Sequence, residues 1–380
     1  MIMRTSVIYT DGKAVDNMDI EVTGDRITSV GHMGGPDIDL TGLLVMPGFI
    51  DIHVHGGSGS DVMDAGYEAI NNLSLYKINE GVTSFCPTTV TAGVDKCYAA
   101  LDAINEAMDR GVVGARILGA FLEGPYINRQ YKGAHPEAYI REVSMSEIND
   151  LLDKGKGNVV SFAIAPELPG ALEAIRELSR KNINVRLGHT GASYEEAIAG
   201  IEAGGRIAIH TYNAMSPLNH RAPGMAGAAL ENSDIYNEVI CDFIHVHPAA
   251  VKLLYNAKGP DKTILITDCM RAGGMPDGDY TLGEMRVIVK GGTARTEAGA
   301  LAGSTLTILG AVRNMCVKLG VPLLQAAKMA SATPAKALGV FDRAGDISEG
   351  KYADIIALDE GLNLRFVMAG GQVKLNNIVK

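Results

Sequence analysis

The chain has 380 residues, 47% of them hydrophobic and 21% charged, with a formal net charge of -10. That is ample apolar material for a sizeable core, and an α/β barrel of well over 200 residues would fit as one domain. An acidic chain without a basic run is unsuited to nucleic acid or an anionic membrane, so an anionic ligand would need a local cationic spot.

The opening, "MIMRTSVIYTDGK", carries no long apolar run of the kind that marks a secretory signal. No stretch of about 18 uncharged apolar residues predicts a membrane span, although the mean hydropathy of +0.10 is high. "SVIYTDGKAV" and "DIEVTGDRITSVG" read as strands broken at Asp-Gly and Gly-Asp turns. The far end, "KYADIIALDEGLNLRFVMAGGQVKL", has the same character. Residues 1–48 and 346–380 are therefore expected to pair as a small β-sandwich domain, since chain termini tend to lie close together.

Between them the rhythm changes. Eight apolar runs follow in order: "GFIDIHVH", "VTSFCPTT", "ILGAFLEGP", "VVSFAIAPE", "INVRLGHT", "RIAIHTYNAM", "EVICDFIHV" and "TILITDCM". Helix patterns such as "SMSEINDLLDKG", "GALEAIRELSRKN", "SYEEAIAGIEAGG" and "HPAAVKLLYNAKG" separate several of them. Near-continuous apolar strands alternating with amphipathic helices indicate a parallel sheet covered on its faces. Eight such units predict an α/β fold, a (β/α)8 TIM-like barrel over 49–345. The alternative is a doubly wound sheet, which would bring a Gly-rich phosphate loop after its first strand; "GGSGSD" at 56–61 lacks that spacing. Cys86, Cys97, Cys241, Cys269 and Cys316 are scattered and form no Cys-x-x-Cys, which reads as reduced thiols in the cytoplasm.

In barrels of this kind chemistry sits at the C-terminal ends of the strands. Of the nine histidines, His53 and His55 close run one, His189 run five and His210 run six. His245 lies at the end of run seven, Glu123 ends run three and Asp268 ends run eight. Imidazole and carboxylate are the usual donors to zinc and iron. Residues i and i+2 of a strand face one side, so His53 and His55 point together into a barrel interior where uncompensated polar atoms are costly. Each residue alone also has an ordinary reading: Glu123, His189 and Asp268 could cap helices or sit in loops, and His-x-His could be a satisfied surface pair. All of them falling on one rim favours a metal site.

The ordered motifs "PGFIDIHVHG", "LEGPYIN", "KGAHP", "LGHT", "IHTYNAMSPLNHRAPGMAG", "ITDCM" and "LAGSTLT" resemble the N-acetylglucosamine-6-phosphate deacetylase family of the amidohydrolase superfamily. The resemblance extends to the terminal β segments and so covers nearly the whole chain. It implies a divalent metal, zinc or iron, on Glu123, His189 and His210. His53 and His55 would complete a second site bridged by Glu123, giving one or two ions per subunit. Asp268 is implied as the catalytic acid/base. Ala134, His135, Asn213, Ala214, Arg221, His245 and the stretch Leu301, Ala302 and Gly303 would hold the phosphosugar, with Arg221 reaching across a homodimer interface.

The implied chemistry is hydrolysis of the acetamide, with the metal acidifying water, Asp268 carrying the proton and His135 helping to stabilise the oxyanion. Rival readings are an N-acetylgalactosamine-6-phosphate deacetylase, a cyclic-amide hydrolase, and a non-catalytic sugar-phosphate binding protein. The cyclic-amide enzymes commonly carry a lysine on strand four, which "VVSFAIAPE" lacks. A non-catalytic relative would be marked by loss of Asp268 or a metal donor, and neither is lost.

Overall fold

The computed structural model of the protein describes residues 1–11 and 13–378. Its centre is a ring of eight parallel strands: Phe49–Val54, Val82–Thr89, Ala120–Tyr126, Val159–Ile164, Asn184–Leu187, Gly205–Ala208, Tyr236–Ile240 and Thr263–Ile266. They correspond to the eight apolar runs, and each pairs with the next in chain order. Every residue of strands one, two, three and eight is buried. That is why their sequences read as continuous apolar runs rather than alternating ones.

The helices outside the ring follow from ordinary local rules. Ala171–Arg180 buries Ala171, Ala174, Ile175 and Leu178 on one stripe at i, i+3, i+4 and i+7. Tyr194–Glu202 starts at a capping box in which Ser193 and Glu196 exchange side-chain and backbone hydrogen bonds.

The seam between strands eight and one is closed differently from the others. Backbone bonds bridge it past the strand ends, from the Asp268 amide to the His53 carbonyl at 2.9 Å and from the His55 amide to the Cys269 carbonyl at 2.8 Å. Deeper in the seam the Asp51 carboxylate accepts from the Thr267 amide at 3.3 Å and the Thr267 hydroxyl at 2.6 Å. A buried side chain thus does the work of a ladder bond.

The terminal segments build one continuous eight-stranded sheet. Ile38–Pro47 is its spine, parallel to Ile2–Thr10 and antiparallel to Ile355–Leu358. This sheet has its own core, including Met3, Ile20, Leu40, Val45, Phe366 and Met368. Pro47 then leads directly into barrel strand one.

A third β unit was not anticipated. Gly278–Leu282, Met285–Lys290 and Thr293–Thr296 form an antiparallel meander inserted after strand eight. Val287 and Val289 point inward while Arg286, Ile288 and Lys290 face out, the alternation of a one-sided sheet. Its inner face packs on Val90, Met270 and Ala302. Among the described residues no helix is long and apolar enough to cross a membrane.

Candidate active site

At the C-terminal rim of the ring, His53 and His55 project from the end of strand one toward Glu123, in the C-terminal half of strand three where its register with strand four shifts. His55 Nε2 lies 3.2 Å from Glu123 Oε2, and His53 Nε2 lies 3.4 Å from Glu123 Oε1. On the other side His189 Nε2 and His210 Nε2 come to 3.3 Å and 3.4 Å from the same Oε1, and to 3.0 Å from each other. Asp268 Oδ1 stands 3.1 Å from His55 Nε2 and 3.6 Å from His53 Nε2. All six side chains are essentially buried.

Local backbone geometry turns these groups inward. His189, His210 and Asp268 have positive φ, at 48°, 26° and 50°. Such conformations are costly for residues other than glycine and persist where the surroundings impose them. Gly124 follows Glu123 with φ of +93°, and a Cβ there would lie 2.0 Å from the Thr91 hydroxyl. Only glycine lets the chain bend at this register shift of strand three so that Glu123 meets the histidines.

The ring nitrogens facing away from the centre are mostly held. His53 Nδ1 lies 3.0 Å from Glu238 Oε2, His55 Nδ1 lies 3.1 Å from the Thr88 carbonyl, and His189 Nδ1 lies 3.0 Å from the Tyr131 carbonyl. Each acceptor requires an N–H on Nδ1, which leaves a lone pair on Nε2 in the neutral ring. Several Nε2 lone pairs would then converge on a carboxylate and on one another. Protons or cations must sit among them, and His53 Nε2 is a buried nitrogen without any hydrogen-bond partner.

The donor set meets the requirements of a metal centre. His53, His55 and Glu123 form one triad, and Glu123, His189 and His210 form another. Within each, the candidate donor atoms lie within 4.8 Å of one another. Imidazole and carboxylate donors, three of the four imidazoles fixed through Nδ1, suit a divalent metal ion.

The protonation equilibria carry the same message. Burial pulls the His55 pKa down, but the Asp268 and Glu123 carboxylates outweigh it and raise it to about 9. For His53 likewise, burial is outweighed by Glu123, Asp268 and Glu238, and the pKa rises. Burial would raise Asp268, yet His53 and His55 bring it down to about 2. Glu123, against its own burial, is held well below the usual carboxylate range by His53 and by hydrogen bonds from His135, His189 and His210. The centre thus strongly favours positive charge among its carboxylates.

His135 is different. Its Nδ1 accepts the Thr91 amide at 3.1 Å, so its single proton in the neutral form is on Nε2, which faces Glu123 Oε2 at 3.5 Å. Burial and the neighbouring His189 push its pKa down to about 4. His135 is therefore a neutral hydrogen-bond donor at physiological pH.

A cavity of about 330 Å³ opens over this rim. Of the residues singled out in the sequence, His55, Glu123, Ala134, His135, His189, His210, Asn213, Ala214, His245, Asp268, Leu301 and Gly303 line it. His53 lies just beneath. Ala302 is fully buried in the core under the inserted meander rather than at the wall. Gly303 has φ of +63° and passes so close to the Asp268 carbonyl that a Cβ would sit 3.0 Å from it. His245 is oriented by Asp242, whose Oδ2 lies 2.7 Å from its Nδ1. Arg221 is exposed on its loop, where its backbone amide donates to the Asn219 side chain. No lysine or arginine is among the described residues lining the cavity.

Several residues of the site escaped the reading of the sequence. Leu282 and Met285 of the inserted meander form an apolar roof over the cavity. Glu238 and Arg186 form a buried ion pair inside the ring, with both side chains fully inaccessible. Burial would raise the Glu238 carboxyl, but Arg186 and His53 hold it below its usual range. The available signal was a charged residue next to buried apolar ones, Arg186 in "INVRLGHT" and Glu238 at the head of "EVICDFIHV".

The profile of the amidohydrolase family matches residues 44–375. The chain is 46% identical to N-acetylglucosamine-6-phosphate deacetylase of Vibrio furnissii, over 87% of its own length and 82% of that protein. It is 41% identical to N-acetylgalactosamine-6-phosphate deacetylase of Escherichia coli O157:H7, over 98% of both chains. The solved structure of an aspartate-to-alanine variant of N-acetyl-D-glucosamine-6-phosphate deacetylase from Mycobacterium smegmatis, in complex with N-acetyl-D-glucosamine-6-phosphate, superposes with a TM-score of 0.94. That comparison covers 99% of each chain at 33% identity.

Proposed function

This chain belongs to the amidohydrolase family, and from that premise we propose that it hydrolyses the acetamide of N-acetyl-D-glucosamine 6-phosphate to D-glucosamine 6-phosphate and acetate. The observation that carries the reading is the Asp268 carboxylate standing against a rim of four histidines and Glu123 at the floor of a sugar-sized cavity.

Glu123, His189 and His210 would hold one divalent ion, and His53, His55 and Glu123 a second, with zinc or iron suited to both. Such an ion supplies Lewis acidity, polarising the acetamide carbonyl and making water easier to deprotonate. Asp268, kept anionic by the surrounding imidazoles, accepts a proton from the attacking water. As the C–N bond breaks it returns that proton to the sugar nitrogen, so the free amine leaves and acetate retains the added oxygen. His135 offers its Nε2–H to the carbonyl oxygen as negative charge develops there.

The 6-phosphate needs a cation, and among the described residues of one chain no lysine or arginine lines the cavity. Arg221, exposed on its loop, fits the role from a second copy in a homodimer, with a planar fork for two phosphate oxygens. Asn213, Ala214 and His245, with Ala134 and Leu301 to Gly303, would surround the sugar. In this reading residues 1–48 and 346–380 form one domain and 49–345 the catalytic domain. The five free thiols suit a cytoplasmic enzyme.

The likeness to the Escherichia coli galactosamine enzyme over 98% of both chains supports the C4 epimer as a second substrate reading. Acetate release from each 6-phosphate epimer, before and after chelation and after metal restoration, tests both. Metal-dependent release from the glucosamine epimer is the expected result. No release from either substrate would end the proposal.

A further inference from the structure

Behind the rim, the barrel interior holds a charged group that the reaction does not use. Arg186, on strand five, is fully buried. Its guanidinium stacks 3.8 Å from the Phe121 ring, donates to the Ile52 carbonyl at 3.0 Å and to the Ser161 hydroxyl at 2.9 Å, and pairs with Glu238 Oε1. Barrel interiors are normally filled with branched apolar side chains, so a charge here is expensive unless it is matched. The other oxygen, Glu238 Oε2, receives His53 Nδ1 at 3.0 Å and the His210 backbone amide at 3.2 Å.

Among the four rim histidines this arrangement is unique. His55 and His189 rest on backbone carbonyls, and His210 Nδ1 has no partner. Only His53 has a carboxylate behind it, and that carboxylate is itself anchored by an arginine. A carboxylate behind an imidazole fixes the tautomer and makes the opposite ring nitrogen, here Nε2, a better metal ligand.

We propose that Glu238, locked by Arg186, is the positioning residue that decides whether the His53–His55–Glu123 site takes up a metal ion. The inference rests on reading the rim as a metal centre.

The geometry makes a discriminating prediction. Arginine offers only donors. In Glu238→Gln the amide oxygen must therefore turn toward Arg186, and the NH2 group toward His53 Nδ1. His53 must then accept at Nδ1 and carry its proton on Nε2, where an ion would bind. Replacing Arg186 by methionine as well frees the amide to turn its oxygen back toward His53.

The test titrates chelator-stripped protein with Zn2+ against a chromophoric competitor, with bound metal counted by elemental analysis. Wild type should bind two ions per subunit. In Glu238→Gln one ion should weaken by about 10- to 100-fold, the usual range for losing an outer-shell partner, and the other by at least tenfold less. Arg186→Met/Glu238→Gln should recover most of the loss. Should Glu238→Gln fail to fold, Arg186→Met/Glu238→Gln is compared with Arg186→Met/Glu238→Leu, and only the first should retain the second ion. Two ions at wild-type affinity in Glu238→Gln, equal weakening of both ions, or no recovery in the double variant would overturn the assignment, as would a single ion in wild type. Wild type that takes up no ion at all would instead defeat the metal-centre reading itself.

Discussion

Asp51 and Lys77 lie 3.0 Å apart, carboxylate to ammonium, with no exposed side-chain surface on either. Lys77, on the helix Tyr67–Ile78, also pairs with Glu80 at 3.0 Å. Asp51 in turn holds the Thr267 hydroxyl, one residue before Asp268. The ion pair thus ties the helix behind strand one to the residue just before Asp268. Burial would lower the Lys77 pKa, but Glu80 and Asp51 outweigh it and raise it, so the ammonium stays charged.

Lys77→Met leaves two buried carboxylates without their cation. Removing one partner of a buried pair costs roughly 3–5 kcal/mol. Urea unfolding of the variant should show a loss of that order, with reduced turnover in the protein that remains folded. An unchanged midpoint would mean that the pair contributes little.

Asp268→Asn removes the proton carrier without changing its shape. A positioned general acid/base accounts for about 10²- to 10⁴-fold in rate. We expect kcat to fall within or beyond that range while the ion on Glu123, His189 and His210 is retained. Turnover close to wild type with metal bound would refute the role.

His135→Ala should lower kcat by about 10²- to 10³-fold, the usual cost of one oxyanion donor. KM should change much less, since the hydrogen bond strengthens only as charge develops. A pure KM effect would reassign His135 to ground-state binding.

Stripping the metal should make stability depend on alkaline pH. His55 has a folded pKa of about 9, above the ordinary 6.5. Its contribution is fully present below pH 6.5 and is lost as pH rises through 9. Metal donors must be neutral imidazoles, so ion uptake below pH 9 displaces protons. Calorimetry at pH 7.5 in buffers of different ionisation enthalpy should record roughly one to two protons released, with fewer above pH 9. Equal heats in all buffers would contradict this.

Arg221→Ala should raise KM for the 6-phosphate substrate by about 10- to 100-fold, as expected for a charge-assisted contact. KM for the unphosphorylated sugar should hardly move. Mixing Arg221→Ala with an Asp268→Asn protein tests the shared site. Activity should recover in mixed dimers, because one pocket then combines an intact Asp268 with an intact Arg221. Equal effects on both substrates would remove the phosphate role.

Much of this protein could be read from local pattern. Strands buried on both faces must be apolar throughout, so eight runs announced eight strands, and a titratable residue closing a run announced the rim. The inserted meander was missed although "GEMRVIVKGGTART" alternates as a one-sided strand should. It follows strand eight, where the repeating strand–helix rhythm stops and carries no information.

What the sequence determined by itself was the inventory: four histidines and two carboxylates closing apolar runs. Only the tertiary structure decided how that inventory is paired. It brought Glu123 between two histidine pairs, locked His135 as a donor through Thr91, and set Arg221 outside its own cavity. It also put Arg186 and Glu238 behind His53. These relationships join residues from 44 to 185 positions apart. Tautomer, charge and metal geometry depend on tenths of an ångström between such residues, a distance that periodicity along one chain cannot encode.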